Sequence, residues 1–433
     1  MLFYTPHITP RIRYMVDYLN ERLGLDLLLT DELELYQSHR SDKINYSAER
    51  IVADEFHMHP AGLLHQADLR KQSVECFQWK GRPAFYQTSN DDLGFDLLSA
   101  VFFLVSRYEE YLDYEPDEYG RYAHWNSLAW KEKFLNRPLV DWWMKEFTSI
   151  LQQKFPHQKL RQSTFRFLPT YDIDIAWSYL HKGWFRSIGA MLRQPSTIVQ
   201  RMAVWSRREK DPFDCYDWLN EFHQQYNLHP IYFFLLAEQQ SELDKNISPR
   251  KQALKQLVRS LQQVADVGIH PSVISNTARE YFYREKNQLQ LITQQPVQKS
   301  RHHYLRFHLP HSYRELIKAG ITEDYSMGYG TVNGFRASTS HSYLWYDLEK
   351  EQSTILRIHP FAYMEANSFY ELHQQPAEAL SELQQLSKEV EEVGGTLITI
   401  FHNHFLGSDP MFRGWKEMYV QFTEEITARF SNP

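Results

Sequence analysis

Two carboxylates close the segment "FLPTYDIDIAWSY", residues 167–179. Asp172 and Asp174 stand on either side of Ile173, at the end of an apolar run that reads as a buried strand. Residues two apart in an extended chain share a face, so both acids address the same space. Each could accept backbone N–H bonds and open a helix. Together they could divide the work of a hydrolytic centre, one acid moving protons and the other holding a metal.

Further chemistry-bearing residues stand at the ends of later apolar segments. His270 ends "VGIHPS", His302 and His303 fall in "SRHHYLRF", Arg336 in "NGFRAST", and His402 and His404 in "TIFHNHF". Each type has an ordinary structural use: a turn histidine before Pro271, a surface ion pair for Arg336, a wet strand face for His402 and His404. In a strand His302 and His303 face opposite ways, so at most one points inward. Their shared position at strand ends is what groups these residues. Burying ionisable groups is costly unless they meet one another or a cation. An Asp with two or three His and an Arg supplies ligands, a base, an acid and an orienting charge.

The elements that must position them alternate. "FRFLPTYDI", "PIYFFLLA", "VGIHPS", "HHYLRFHL", "TILRIHPFAYM" and "TLITIFHNHF" read as strands, separated by helical patterns such as "PRKQALKQLVRSLQQVADV" and "PAEALSELQQLSKEVEEVGG". That alternation argues for an α/β fold with parallel strands and helical crossovers. About seven strands fits a barrel better than a flat sheet, and reactive groups in parallel barrels stand at the C-terminal strand ends. Before about residue 160 the pattern is mixed: "LGLDLLLT" and "RPAFYQT" are strand-like, while "FDLLSAVFFLVSRYEEYLDY" and "PLVDWWMKEFTSILQQKF" are helical. The polar, proline-bearing "PHQKLRQST", residues 156–164, marks a boundary. The expectation is a smaller mixed α+β domain over 1–160 and a (β/α) barrel over 161–433.

Composition narrows the chemistry. At 433 residues the chain exceeds one ordinary core. With 42% hydrophobic and 23% charged residues it is globular, and a net charge of −7 without a long basic run argues against nucleic acid as principal ligand. Two cysteines exclude a Cys-based zinc module, which leaves any metal to carboxylates and the 20 histidines. The N-terminus lacks a signal-like apolar stretch and no run approaches the ~20 apolar residues of a membrane span, so a cytoplasmic location is expected.

In their order, "TYDID", "VGIHPS", "GFRA" and "TIFHNH" resemble the motif series of the polysaccharide deacetylase family, with NodB homology and carbohydrate esterase 4-like. "RHHYLRF", "DYSMGY" and "GFRA" resemble one block of a bacterial subgroup. "FDLLSAVFFLVSRYEEYL", "GRY" and "PLVDWW" resemble the uncharacterised domain that precedes it there. The resemblance implies a distorted (β/α)7 barrel, a divalent metal, usually zinc, and hydrolysis of an N-acetyl or sometimes O-acetyl group on a sugar. It implies Asp172 as catalytic base, Asp174 and His270 as metal ligands, Arg336 as the arginine paired with the base, and His402 as general acid. One position departs: the second metal histidine, four residues after the first, is here Ile274. Zinc usually takes three protein ligands, and His303 is the expected replacement, ahead of Ser275 and Asn276. The expected function is a metal-dependent carbohydrate deacetylase of surface-glycan metabolism. A catalytically degenerate glycan-binding barrel and another metal-dependent amidase or deformylase are the alternatives, because fold does not fix substrate.

Overall fold

The computed structural model describes residues 1–182 and 195–430. Its main sheet starts with β7 (Arg166–Ile173), which pairs in parallel with β8 (Ile231–Leu235). β9 (Asp266–His270), β10 (Lys299–Ser300) and β11 (Glu323–Asp324) continue it in parallel. β12 (Tyr343–Asp347) and β13 (Gln352–Ile358) form an antiparallel hairpin, with β13 parallel to β11. On the other side of β7 lie β15 (Thr396–His402) and then β14 (Tyr363–Met364), both parallel. The order is β12-β13-β11-β10-β9-β8-β7-β15-β14.

The crossovers are helical where the sequence has a 3.6-residue apolar period. Gln252–Gln262, between β8 and β9, buries Leu254, Leu257, Val258 and Leu261, which lie on one stripe. Pro376–Glu392, between β14 and β15, starts with Pro376 and a capping box in which the Gln375 N–H donates to Glu378 Oε2 at 2.8 Å. β8 reads "IYFFL" and is buried along its length, as a strand covered on both faces must be.

The sheet curls. Ile358 ends β13 and Tyr363 begins β14, so five peptide steps, at most about 18 Å, join them. In a flat sheet the seven intervals between those strands would span about 34 Å. The connecting chain bonds to both sides: Phe361 N–H donates to Met327 O at 3.2 Å and Ala362 N–H to Ile398 O at 3.1 Å. A second apolar core fills the concave side, with Ile231, Phe233, Leu305, Tyr325, Phe361, Ile398 and Ile400. The expected distorted barrel is met by a curled sheet that does not close by strand pairing. The outer edge of β13 is taken by β12, so β13 has no free edge to offer β14, and the hydrogen-bonded sheet stays open between them.

The N-terminal part carries a four-stranded parallel sheet, β2 (Leu28–Thr30), β1 (Leu2–Tyr4), β3 (Lys43–Tyr46) and β4 (Phe56–Met58) in that order, and a hairpin of β5 (Cys76–Trp79) and β6 (Arg82–Phe85). The helix Pro10–Leu23 is capped by Thr9, whose side chain accepts from Ile12 N–H, and ends at Gly24 in the left-handed region, φ 65°. Leu97–Val105 is a wholly buried helix. One apolar core runs from Phe3 to Ile426 through both parts of the chain. Ion pairs join them: Arg11, buried, to the half-buried Glu351 at 2.5 Å, and Arg336 to Glu110, both buried, at 2.6 Å.

Candidate active site

Parallel strands collect their C-terminal ends on one side of the sheet, and five of them deliver ionisable groups there. Asp172 is the second-to-last residue of β7 and Asp174 lies just beyond it; His270 and His402 are the last residues of β9 and β15. Arg301 and His303 follow β10, and Glu365 follows β14. Register sets the juxtaposition: His402 pairs with Asp172 across β15 and β7.

Asp174 is the hub. Its Oδ1 lies 3.3 Å from His270 Nε2, and its Oδ2 lies 3.4 Å from His303 Nε2 and 3.6 Å from His402 Nε2. Ligand atoms of Asp174, His270 and His303 all fall within 4.8 Å of one another. Asp174 Oδ1 is buried without a hydrogen-bond partner. Ligand bonds of ~2.0–2.1 Å in a tetrahedral site put neighbouring donors ~3.3 Å apart. Each Asp174–His separation is near that edge, one made by Oδ1 and the other by Oδ2, and one carboxylate with two imidazoles is a donor set whose chemistry suits a divalent cation.

Each imidazole is aimed by its other nitrogen. His270 Nδ1 meets Arg301 O at 2.5 Å, His303 Nδ1 meets Asp244 Oδ1 at 2.9 Å, and His402 Nδ1 meets Glu365 Oε1 at 2.7 Å. All three therefore turn Nε2 to the centre. Hydrogen-bonded support of this kind fixes ring orientation and tautomer in metal-binding histidines. The His402 backbone N–H also donates to Glu365 Oε1, at 2.6 Å.

Electrostatics follow. Burial pushes the His402 pKa down, but the Glu365 and Asp174 carboxylates raise it to about 10. Burial likewise opposes the charge on His303, which Asp174 and Asp244 raise to about 9. Burial pushes the Asp174 carboxyl up, yet the surrounding His303, His270 and His402 hold it well below its ordinary value. These values describe the protein's own groups without a cation.

Asp172 is held by an arginine other than the one expected. Arg301, fully buried, donates from Nη1 to Asp172 Oδ1 and to Thr170 Oγ1, each at 2.8 Å, and from Nε to Tyr325 O at 3.0 Å. Its guanidinium lies inside the curled sheet, 4.4 Å from the Phe233 ring. No Cβ fits at Gly268, where it would come within 2.5 Å of that ring. Asp172 Oδ2 is left facing the centre, 3.7 Å from His270 Nε2. Arg336 makes no such pair. It bonds Glu110 at 2.6 and 2.9 Å and the Gly328 carbonyl at 3.1 Å, and Glu110 is also held by Arg107 at 2.7 Å. The expectation that Arg336 orients the base is corrected: its charge is already matched by a buried carboxylate from the N-terminal part.

His302 and His303 do not alternate along a strand, because β10 ends at Ser300. They enter a turn in which Tyr304 and Leu305 both have positive φ, 56° and 50°. Such conformations cost on the order of 1–3 kcal/mol each for residues with a side chain. His302 stacks at 6.0 Å on Phe307, neither ring nitrogen finds a partner, and burial lowers its pKa to about 3. His404 sits beside His402, with burial and then His402 lowering it to about 3. Ile274 opens a short turn, Ile274–Asn276. Arg301, Asp244 and Glu365 escaped the sequence reading. Arg301 carries a signal, since it adjoins the two histidines of "SRHHYLRF"; "LDKN" and "YMEAN" carry none.

The centre opens into a cleft of about 450 Å³, lined among others by Tyr119, Arg121, Lys245, Tyr304 and Tyr370. Among the described residues no helix is long and apolar enough to cross a membrane.

Residues 1–156 match the profile of a family of unknown function, DUF7033. No curated protein matches the chain by sequence. Among solved structures, a Mycobacterium smegmatis protein provisionally assigned as a polysaccharide deacetylase is 15% identical, with a TM-score of 0.41, over 62% of this chain and 85% of that one. The polysaccharide deacetylase Bc1974 of Bacillus cereus is 8% identical, with a TM-score of 0.30, over 61% and 89%. BA3943 of Bacillus anthracis, a CE4 family pseudoenzyme, is 9% identical, with a TM-score of 0.29, over 61% and 62%. Likeness this distant leaves the functional argument to the site itself.

Proposed function

We propose that the chain is a metal-dependent hydrolase that removes acetyl groups, chiefly N-acetyl, from a carbohydrate of surface-glycan metabolism. In this reading residues 161–433 form the hydrolase part and residues 1–160 a mixed α+β N-terminal domain packed against it. The observation that carries it is the convergence of Asp174, His270 and His303, each imidazole aimed by a second bond, with Asp172 and His402 alongside.

Asp174, His270 and His303 would hold a divalent cation, most simply zinc, whose chemistry is to polarise the acetyl carbonyl and make water more acidic. Asp172, with Oδ1 fixed by Arg301, is the base: Oδ2 takes a proton from the attacking water. Arg301 keeps that carboxylate aimed. His402 carries a proton on Nε2, stabilised through Nδ1 by Glu365, and gives it to the departing amine nitrogen. The C–N bond breaks, acetate leaves with the oxygen of water, and the sugar amine keeps the proton from His402.

The test is metal content together with acetate release from acetylated sugars. One divalent ion per chain is expected, lost in Asp174→Ala and His270→Ala along with acetate release. A reconstituted protein whose ion survives both substitutions would overturn the proposal.

A further inference from the structure

One wall of the cleft comes from the N-terminal part. Asp117 to Gly120 is a tight turn: Gly120 N–H donates to Asp117 O at 2.9 Å and Asp117 N–H to Arg121 O at 3.0 Å, with Gly120 at φ 75°. The Asp117 carboxylate accepts from Tyr119 N–H, Arg121 N–H and Arg121 Nε at 3.0, 2.9 and 2.6 Å. The turn is therefore braced from within, and it presents Tyr119 and Arg121 to the cleft.

Arg121 reaches across to the turn that carries His303. Its Nη1 donates to Tyr304 O at 2.8 Å, while Nη2 has no protein acceptor although the side chain is only 5% exposed. Its guanidinium carbon lies 4.7 Å from the Tyr119 ring centre, and that ring stands 5.3 Å from Tyr304. A Cβ at Gly330 would sit 2.0 Å from Arg121 Nη1, so glycine there leaves the arginine its room. Tyr370, 46% exposed, lines the same cleft. Three tyrosines thus stand beside the hydrolytic centre, and none has a part in moving its protons. Tyrosine offers an apolar ring with a polar tip, which suits the C–H face and hydroxyl rim of a pyranose.

We propose that the turn Asp117–Arg121 is the specificity wall of the cleft, receiving a sugar unit adjacent to the one that bears the acetyl group. The substrate is then an oligosaccharide rather than a free monosaccharide. Tyr119 and Tyr304 supply the stacking faces, and Arg121 is a positioning residue that locks both. This rests on the deacetylase reading of the same cleft and gives the N-terminal part its role.

The test compares N-acetylglucosamine and N-acetylgalactosamine, each as monosaccharide and as tetrasaccharide, by calorimetric binding and by acetate release with the full chain. At least one tetrasaccharide should bind about tenfold or more tighter than its own monosaccharide, roughly 1.4 kcal/mol. Tyr119→Ala should bring that ratio toward one, acting on Kd and KM rather than kcat, and Tyr119→Phe should restore it. Arg121→Lys, which cannot bridge Asp117 and Tyr304 O in the same way, should lower the ratio too. The inference is overturned if no tetrasaccharide outbinds its monosaccharide, or if the ratio survives in Tyr119→Ala. Binding is read without turnover, so an inactive protein that keeps the chain-length preference would refute only the hydrolase reading. An active one indifferent to chain length would refute only this wall.

Discussion

Replacing Arg301 and Arg336 one at a time separates chemistry from scaffolding. Both guanidiniums are buried, at 0% and 2% exposure, and each pairs with a buried carboxylate. Arg301→Met keeps an apolar stem against Phe233 and removes the bonds to Asp172, Thr170 and Tyr325 O. Breaking a buried pair from one side costs about 3–5 kcal/mol. Here the stranded partner is the proposed base, and losing a positioned general base costs about 10²–10⁴ in rate. Arg336→Met strands Glu110 less completely, because Arg107 still holds Glu110 Oε1 at 2.7 Å. Its penalty belongs near the lower end, about 3 kcal/mol, and falls on stability. The assays are urea unfolding for both variants, and kcat with KM for acetate release by metal-loaded protein. Arg301→Met should lose at least about 100-fold in kcat with its ion still bound. Arg336→Met should unfold at lower urea while each folded molecule turns over like the parent. Equal loss of kcat in both folded, metal-loaded variants would refute the assignment.

Glu365→Gln should move the alkaline limb of the pH–kcat/KM profile to lower pH by about 1–3 units. His402 donates only while protonated, and without Glu365 only Asp174 and Asp172 still oppose the effect of burial, so an unmoved limb would remove His402 from the acid role. In chelator-treated protein, His303 and His402 sit at about 9 and about 10 against an ordinary 6.5, so their stabilising charge is fully present below about 6.5 and is lost as pH rises through 9 to 10. The urea midpoint should fall across that window, and a flat midpoint would contradict the geometry. Loading a divalent cation at pH 8 should release about one proton per chain, because His303 is protonated there and must bind as neutral imidazole. Calorimetry in buffers of different ionisation enthalpy reads this, and zero release would count against His303 as ligand.

What the sequence disclosed was what local pattern encodes. The apolar runs that became β7, β9 and β15 end in titratable residues, so their C-terminal ends could be named before any fold was known. The direction of His303 was not legible, since it depends on two successive left-handed residues that nothing in "HHYL" requires. Arg336 fits a motif in sequence order, but Glu110, 226 positions upstream, claims its charge. Arg301 needed the knowledge that β10 lies three strands from β7 in a curled sheet, so that a long side chain from one can reach an acid on the other across the interior. Closure of the barrel was not legible, because a hairpin partner for β13 looks, in sequence, like any other strand.

Charge accounting explains why this cluster suits a dication better than a private network of ion pairs. Asp172, Asp174, Asp244 and Glu365 bring four carboxylates to the centre, and among the described residues Arg301 is the one guanidinium that pairs with any of them. Uncompensated charge in such a site is expensive. Protonating both His303 and His402 still leaves one negative charge over. A divalent cation on Asp174, His270 and His303, with a single imidazolium at His402, brings the group to neutrality. That same state has the proposed base held by an arginine, the proposed acid carrying its proton, and two imidazoles free of protons at Nε2. Neutrality and readiness for acyl transfer thus select the same protonation state, which is why four acids can be gathered at the end of one sheet.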